Sequence, residues 1–120
     1  MANIFLDTNF FIDVSERDTG KQKMLDGHKV FVSPLSYHIF FYSYKHKVPS
    51  KLLLKYKDVF EIVGLSEKIL ILSLEGPGND LEDNIQLHSA VEAECDIFLT
   101  NDKKLLKMKF FGKMKIASAF

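Results

Sequence analysis

Short apolar runs alternate with longer segments of helical spacing along this chain. Asn3 to Leu6 is apolar and brief, which suits a buried central strand of a parallel sheet better than a helix. Thr8 or Asn9 can cap a following helix in which Phe10, Phe11 and Val14 face the core, while Asp13, Glu16 and Arg17 face water. From Asp18 to Gly27 the chain is polar except for Met24 and Leu25, and reads as a short helix or turn that returns the backbone. Lys29 to Ser33 supplies a second buried strand through Val30, Phe31 and Val32, stopped by Pro34. Leu35 to Lys47 is a helix crowded with Tyr37, Phe40, Phe41, Tyr42 and Tyr44, with His38 and His46 among them. Such a helix can stack RNA bases. Its aromatics nevertheless cover so much of the circumference that a core or subunit-interface helix is the stronger reading.

The alternation continues past Pro49. Lys51 to Tyr56 is a basic amphipathic helix with Leu52, Leu53 and Tyr56 inward and Lys51, Lys55 and Lys57 outward. A lysine face of this kind is either a solvated surface or a contact for phosphates. Phe60 to Leu65 reads as a strand, and Ser66 caps a helix through Leu74. A turn at Gly76-Pro77-Gly78-Asn79 precedes a helix that carries Asp80, Glu82, Asp83 and Asn84 in its first turn. The buried stripe expected of this helix is Leu81, Ile85, Leu87, His88 and Val91. Asp96 to Thr100 is another buried strand, followed by Asn101-Asp102, a short helix at Lys103 to Lys107 and a last strand at Lys115 to Ala117. There is no linker and no internal repeat, so residues 1–120 read as a single domain. Strands alternating with helices imply a three-layer α/β sandwich around a mostly parallel sheet.

Composition changes this picture little. The chain has 120 residues, 47% hydrophobic and 27% charged, with three prolines, enough for one real core and hardly two. Formal net charge is zero; no global field draws the protein to nucleic acid, and any such binding must come from local basic patches. The single cysteine, Cys95, can form no internal disulfide and reads as a small core residue. No apolar run reaches the roughly 18 residues of a membrane span, and the N-terminus lacks the features of a signal peptide. The expected location is the cytoplasm, with no membrane partner.

The acids carry the chemistry. Asp7 and Asp102 each follow a strand, and in parallel α/β sheets ligands bind outside the carboxyl ends of the strands. Asp80 and Asp83 lie three residues apart at a helix start, on one side of its first turn. Carboxylates packed together repel one another, which raises their proton affinity unless a cation sits between them. Oxygen-only ligands point to Mg2+ or Mn2+, and magnesium uses few protein carboxylates while keeping several waters. Such an ion activates water and stabilises charge on a phosphodiester under in-line attack. Nucleic-acid hydrolysis follows naturally, although phosphatase chemistry uses similar parts.

Three segments carry a resemblance to a family: Leu6-Asp7-Thr8-Asn9-Phe10-Phe11-Ile12-Asp13, then Asp80-Leu81-Glu82-Asp83-Asn84-Ile85-Gln86 with Ala90, then Cys95-Asp96-Ile97-Phe98-Leu99-Thr100-Asn101-Asp102. Their order and spacing over nearly the whole chain resemble a PIN-domain ribonuclease, and the size resembles a VapC-like toxin of a toxin-antitoxin pair. The resemblance implies cleavage of RNA with Mg2+ or Mn2+, a small antitoxin that occupies the groove, and a homodimer. It implies Asp7, Asp83 and Asp102 as metal ligands and catalytic acids, Asp80 as an accessory acid, and Thr8, Asn9, Ser36, Thr100 and Asn101 as residues that orient the carboxylates.

One position departs from the family pattern. The family has a further acid, a glutamate three residues after a Ser or Thr, and here Ser36 is followed at that distance by Ile39. An isoleucine binds no metal. Asp80, Glu82 or His38 are the residues that could partly substitute, with His38 one position off and therefore aimed elsewhere on a helix. The alternative to an active nuclease is a PIN-fold binding module with reduced or no activity. A haloacid-dehalogenase-type phosphatase would need an aspartate where Asn9 stands, and a phosphorelay receiver would need acids and a lysine that are absent from the expected places.

Overall fold

The computed structural model describes residues 1–120. Six strands form one sheet: β1 (Asn3–Leu6), β2 (Lys29–Val32), β3 (Glu61–Ile62), β4 (Ile97–Leu99), β5 (Phe110–Phe111) and β6 (Met114–Ala117). Their order is β3-β2-β1-β4-β6-β5, parallel throughout except for the β5–β6 pair. The chain thus winds outward from the central β1 in both directions, so β1 and β4 are neighbours and end side by side, with Leu6 opposite Leu99. The α-helices are α1 (Thr8–Ile12), α2 (Pro34–Ser43), α3 (Lys51–Tyr56), α4 (Glu67–Glu75), α5 (Leu81–Glu92) and α6 (Lys103–Leu106). A π-helical turn, Asp13–Arg17, extends α1, and a 3-10 helix spans Thr19–Leu25. No helix is long and apolar enough to cross a membrane.

Each central strand is buried on both faces because helices cover both sides, as a parallel sheet requires. Alternation along β1 sends Ile4 and Leu6 to one core, with Phe10, Phe11, Val14, Val32 and Phe40. It sends Phe5 to the other, with Leu87, Phe98, Met114 and Ile116. Phe11 anchors the first core: its ring meets Phe40, Phe60 and Tyr56 edge-on, with centroids 5.8, 5.4 and 6.4 Å away. In the second, Phe5 and Phe98 stack across the β1–β4 pair at 5.5 Å. Offset or edge-on ring pairs of this kind add roughly 0.5–1.5 kcal/mol each beyond area burial.

Several expected positions are corrected. Leu81 and Val91 are exposed rather than part of the α5 stripe. That helix is packed by both α4 and the sheet, so its buried side takes in Asn84, Gln86 and Ser89, polar residues that an apolar pattern passes over. Leu52 likewise turns outward, while Leu53 and Tyr56 are half-buried. The aromatic helix is shorter than Leu35 to Lys47, ending at Ser43 before Lys45 takes a left-handed conformation with φ 54°. Only Phe40 of its aromatics is buried, and Tyr42 is 70% exposed. The short hairpin strand β5, turned by Gly112 at φ 61°, adds an antiparallel edge. Positive φ there favours glycine because it has no Cβ to clash.

Candidate active site

The cap of α1 falls to Asp7 rather than to Thr8 or Asn9. Its Oδ1 accepts the Phe10 backbone N–H at 2.8 Å, which satisfies an otherwise unpaired donor of the first helical turn. Its Oδ2 accepts a very short hydrogen bond from the Thr100 hydroxyl, at the end of the neighbouring strand. Asp7 is 6% exposed and Thr100 is fully buried. The Thr100 hydroxyl oxygen also accepts the Asp102 N–H at 3.0 Å, so one buried threonine ties both strand-end acids together. Asp102 in turn caps α6 through Lys104 N–H at 2.8 Å, and it stands exposed.

Asp83 reaches the same place from the first turn of α5, whose entry is fixed from two sides. Asp80 caps the helix by accepting the Asp83 N–H at 3.0 Å. Asn84 closes the preceding turn, donating to Ser73 O at 2.9 Å and Gly78 O at 3.0 Å and accepting Gly78 N–H at 3.0 Å. The carboxyl groups are near enough to move one another's protons. Burial, opposed by the bonds from Thr100 and Phe10 and reinforced by the charges of Asp102 and Glu82, pushes Asp7 up to about 6. Burial with the charges of Asp80, Asp102, Glu82 and Asp7 pushes Asp83 up to about 6. The charges that move Asp7 and Asp83 are all those of other acids, and no cation is among them.

Glu82 joins this group. Burial and the Asp80 charge raise its pKa, while Thr8 and Gln86 lower it. Gln86 Nε2 donates to Glu82 Oε2 at 3.2 Å, and the Thr8 hydroxyl lies 2.9 Å from Ser36 Oγ. Glu82 therefore approaches, from α5, the point where Thr8 of α1 meets Ser36 of α2. Of the three residues able to replace an acid at position 39, it is the one the fold turns inward. Asp80 is exposed at its cap, and His38 is exposed on α2 with its ring against Tyr42 at 4.8 Å. Ile39 itself is half-buried.

The remaining expected residues are placed as follows. Thr8 and Ser36 are buried and bonded to each other. Asn9 is exposed, and its backbone carbonyl accepts from Arg17 at 2.9 Å. Asn101 turns its amide toward Asp13 at 3.5 Å rather than toward Asp7 or Asp102. Asp13, expected to face water, is half-buried and paired with Arg17 at 2.7 Å and Lys21 at 3.0 Å. A groove of about 510 Å³, lined by Asp80, Asp83, Asn84, Lys104 and Met108 among others, opens beside the acids. A more apolar groove of about 590 Å³ lies apart from them, between α2 and α3, against Tyr37, His38, Phe41, Val48 and Leu54. Gln86 and the Arg17–Lys21 pair were not singled out from sequence. The spacing of four between Glu82 and Gln86 was the available signal for the former.

The donor set is all oxygen, which suits magnesium or manganese. No three His, Cys, Asp or Glu side chains close around one point tightly enough to form a protein cage. The arrangement fits an ion that keeps most of its water and takes one or two carboxylates directly, the habit of magnesium.

No protein-family model and no curated protein matches this chain. Among solved structures, it is similar to a crystal structure of VapBC2 from Rickettsia felis bound to a DNA fragment from their promoter, with a TM-score of 0.65 and 16% identity over 95% of this chain and 96% of that one. At that identity the likeness is one of fold, and the fold, a mostly parallel six-stranded sheet flanked by helices, is PIN-like.

Proposed function

We propose that this protein is a divalent-metal-dependent endoribonuclease, the toxin of a toxin-antitoxin pair, in which Mg2+ or Mn2+ would be held among Asp7, Asp83 and Asp102, by one or two of them directly and by the rest through its waters, with Asp80 as an accessory acid. The observation that carries this reading is that Thr100 ties Asp7 to Asp102 at the ends of β1 and β4, while Asp83, from the first turn of α5, feels the charge of both. The PIN-like fold, shared with a structure of VapBC2, supports it. When bound, the ion would supply a water of lowered pKa and stabilise charge on the phosphodiester.

The chain's own part is preorganisation. Thr100 and the Phe10 N–H hold both oxygens of Asp7 in place, so this carboxylate needs no rearrangement on meeting a cation. Glu82, steadied by Gln86, adds the negative charge that Ile39 does not. The α2–α3 groove, with Tyr42 and Val48 exposed beside it, is the surface we assign to protein partners, an antitoxin or a second copy in a homodimer.

Calorimetry with manganese tests the site. Wild type is expected to bind in the millimolar range or tighter, and Asp83→Asn to lose at least about 100-fold in affinity, since even the partners of metal ligands are worth about 10–100-fold. No binding by wild type, or no loss on substitution, would sink the metal reading. A second reading, a binding module without catalysis, draws on Ile39. Metal-dependent RNA cleavage that disappears in Asp7→Asn and with chelator would rule it out.

A further inference from the structure

Beside the acids stands a cluster that the proposed chemistry has not used. Asp13, in the π-helical turn after α1, holds two cations at once: Arg17 Nε at 2.7 Å on Oδ1 and Lys21 Nζ at 3.0 Å on Oδ2. Arg17 also donates to the Asn9 carbonyl at 2.9 Å, and Lys21 lies over the Phe10 ring at 4.8 Å. Three of the cluster's contacts lead back to the acid site. Asn9 is two residues from Asp7, the Phe10 N–H binds Asp7, and Asn101, which reaches Asp13 at 3.5 Å, lies between Thr100 and Asp102.

Asp13 balances one of the two cations that it holds, which leaves one positive charge over among these three side chains, and the Arg17 side chain is 44% exposed. Neither cation is among the charges that move Asp7 or Asp83, so this positive charge is not spent on the acids. Its geometry is nevertheless fixed, because Asp13, Asn9 and Phe10 restrain both side chains. A guanidinium with N–H donors left over and an ammonium held alongside form a preorganised receptor for phosphate oxygens. The chain carries no net charge, so whatever holds a polyanion next to a ring of carboxylates must be local.

We infer that Arg17 and Lys21 are positioning residues that hold the backbone phosphates of single-stranded RNA flanking the bond at the acid site. This rests on the nuclease reading above. Asp13 serves as the brace that aims both cations.

The test separates the two ideas. Binding of a fluorescent single-stranded RNA oligonucleotide to the Asp83→Asn protein is followed by anisotropy across a potassium chloride series. Each phosphate contact contributes about 0.7 to the slope of log affinity against log salt, worth about fivefold in affinity at 0.1 M salt. Arg17→Gln and Lys21→Gln should each lower the slope by about that amount, and the double variant by about twice as much. Arg17→Lys and Lys21→Arg keep the charge and should keep the slope, which a merely structural role would not distinguish. RNA binding with an unchanged slope in the Gln variants overturns the inference and leaves the nuclease reading standing. Loss of slope in the charge-conserving variants overturns it as well. No RNA binding by the Asp83→Asn protein overturns both.

Discussion

The β1–α1 and β4–α6 junctions use the same local device and put it to different ends. In each, a parallel strand finishes, an aspartate follows, and that aspartate caps the next helix. Asp7 is buried and bonded to Thr100, whereas Asp102 stands in water with only its cap bond to Lys104. Capping alone is worth about 1 kcal/mol in either place. The difference lies in what surrounds the second oxygen: Asp102 keeps its solvation, and Asp7 exchanges solvation for one hydroxyl and the repulsion of neighbouring acids. The same local device thus yields a solvated cap in one case and a buried carboxylate held at some cost in the other.

The largest test of this contrast is pH. Asp7 is raised from 3.8 to about 6, so between those values the folded protein holds a proton that the unfolded chain has released. Stability is then full below about pH 4 and declines as pH rises through 6, by roughly 3 kcal/mol for a shift of this size. Asp83 shifts in the same direction and adds to the decline, by less because it is more exposed. Asp7→Asn is expected to unfold at a higher temperature than wild type at pH 7.5 in chelator, and the gap should close near pH 4. A gap that does not change with pH would mean that Asp7 carries no burden of buried charge.

The second test sits on the acid that sequence alone could not choose. Glu82→Gln is expected to weaken manganese binding about tenfold, the lower end of what groups supporting a metal site contribute. Ile39→Glu in that background should recover part of the loss, while in wild type it should change affinity by less than about threefold, since one replacement acid is already present. A large gain from Ile39→Glu in wild type would instead show that Glu82 does not fill the gap.

These two tests mark what was legible. The strand-end acids were readable because short apolar runs stop at an aspartate, a pattern set by local chain chemistry. The parallel sheet followed from the alternation of strands with helices, and the paired order of β1 and β4 accounts for Asp7 and Asp102 meeting. Which side chains of the α5 first turn point inward was not readable, because that depends on how the helix is wedged between α4 and the sheet. The same wedging buries Asn84, Gln86 and Ser89 and exposes Leu81 and Val91. Hydrophobic periodicity assumes one buried stripe, and a helix packed from two directions breaks the assumption. The β5 hairpin strand escaped because Phe110-Phe111 is only two residues long among lysines. Asn101 has site residues for its neighbours on the chain, but alternation at a strand end sends its side chain toward Asp13.

The smallest effect separates the cap from the charge. If Asp102 is structurally only a cap, Asp102→Asn near pH 4, where Asp7 and Asp83 hold their protons, should leave the unfolding midpoint nearly unchanged, because an amide oxygen caps as well as a carboxylate. Asp102→Ala should cost about 1 kcal/mol. Both should lower manganese affinity alike, since each removes the carboxylate, and this is where the pair of variants becomes informative. Equal losses in metal binding with unequal losses in stability would place Asp102's charge wholly in the site's chemistry and its oxygen wholly in the fold. At Asp7 the two roles cannot be divided in this way, because the bond from Phe10 and the bond from Thr100 hold the same buried carboxylate.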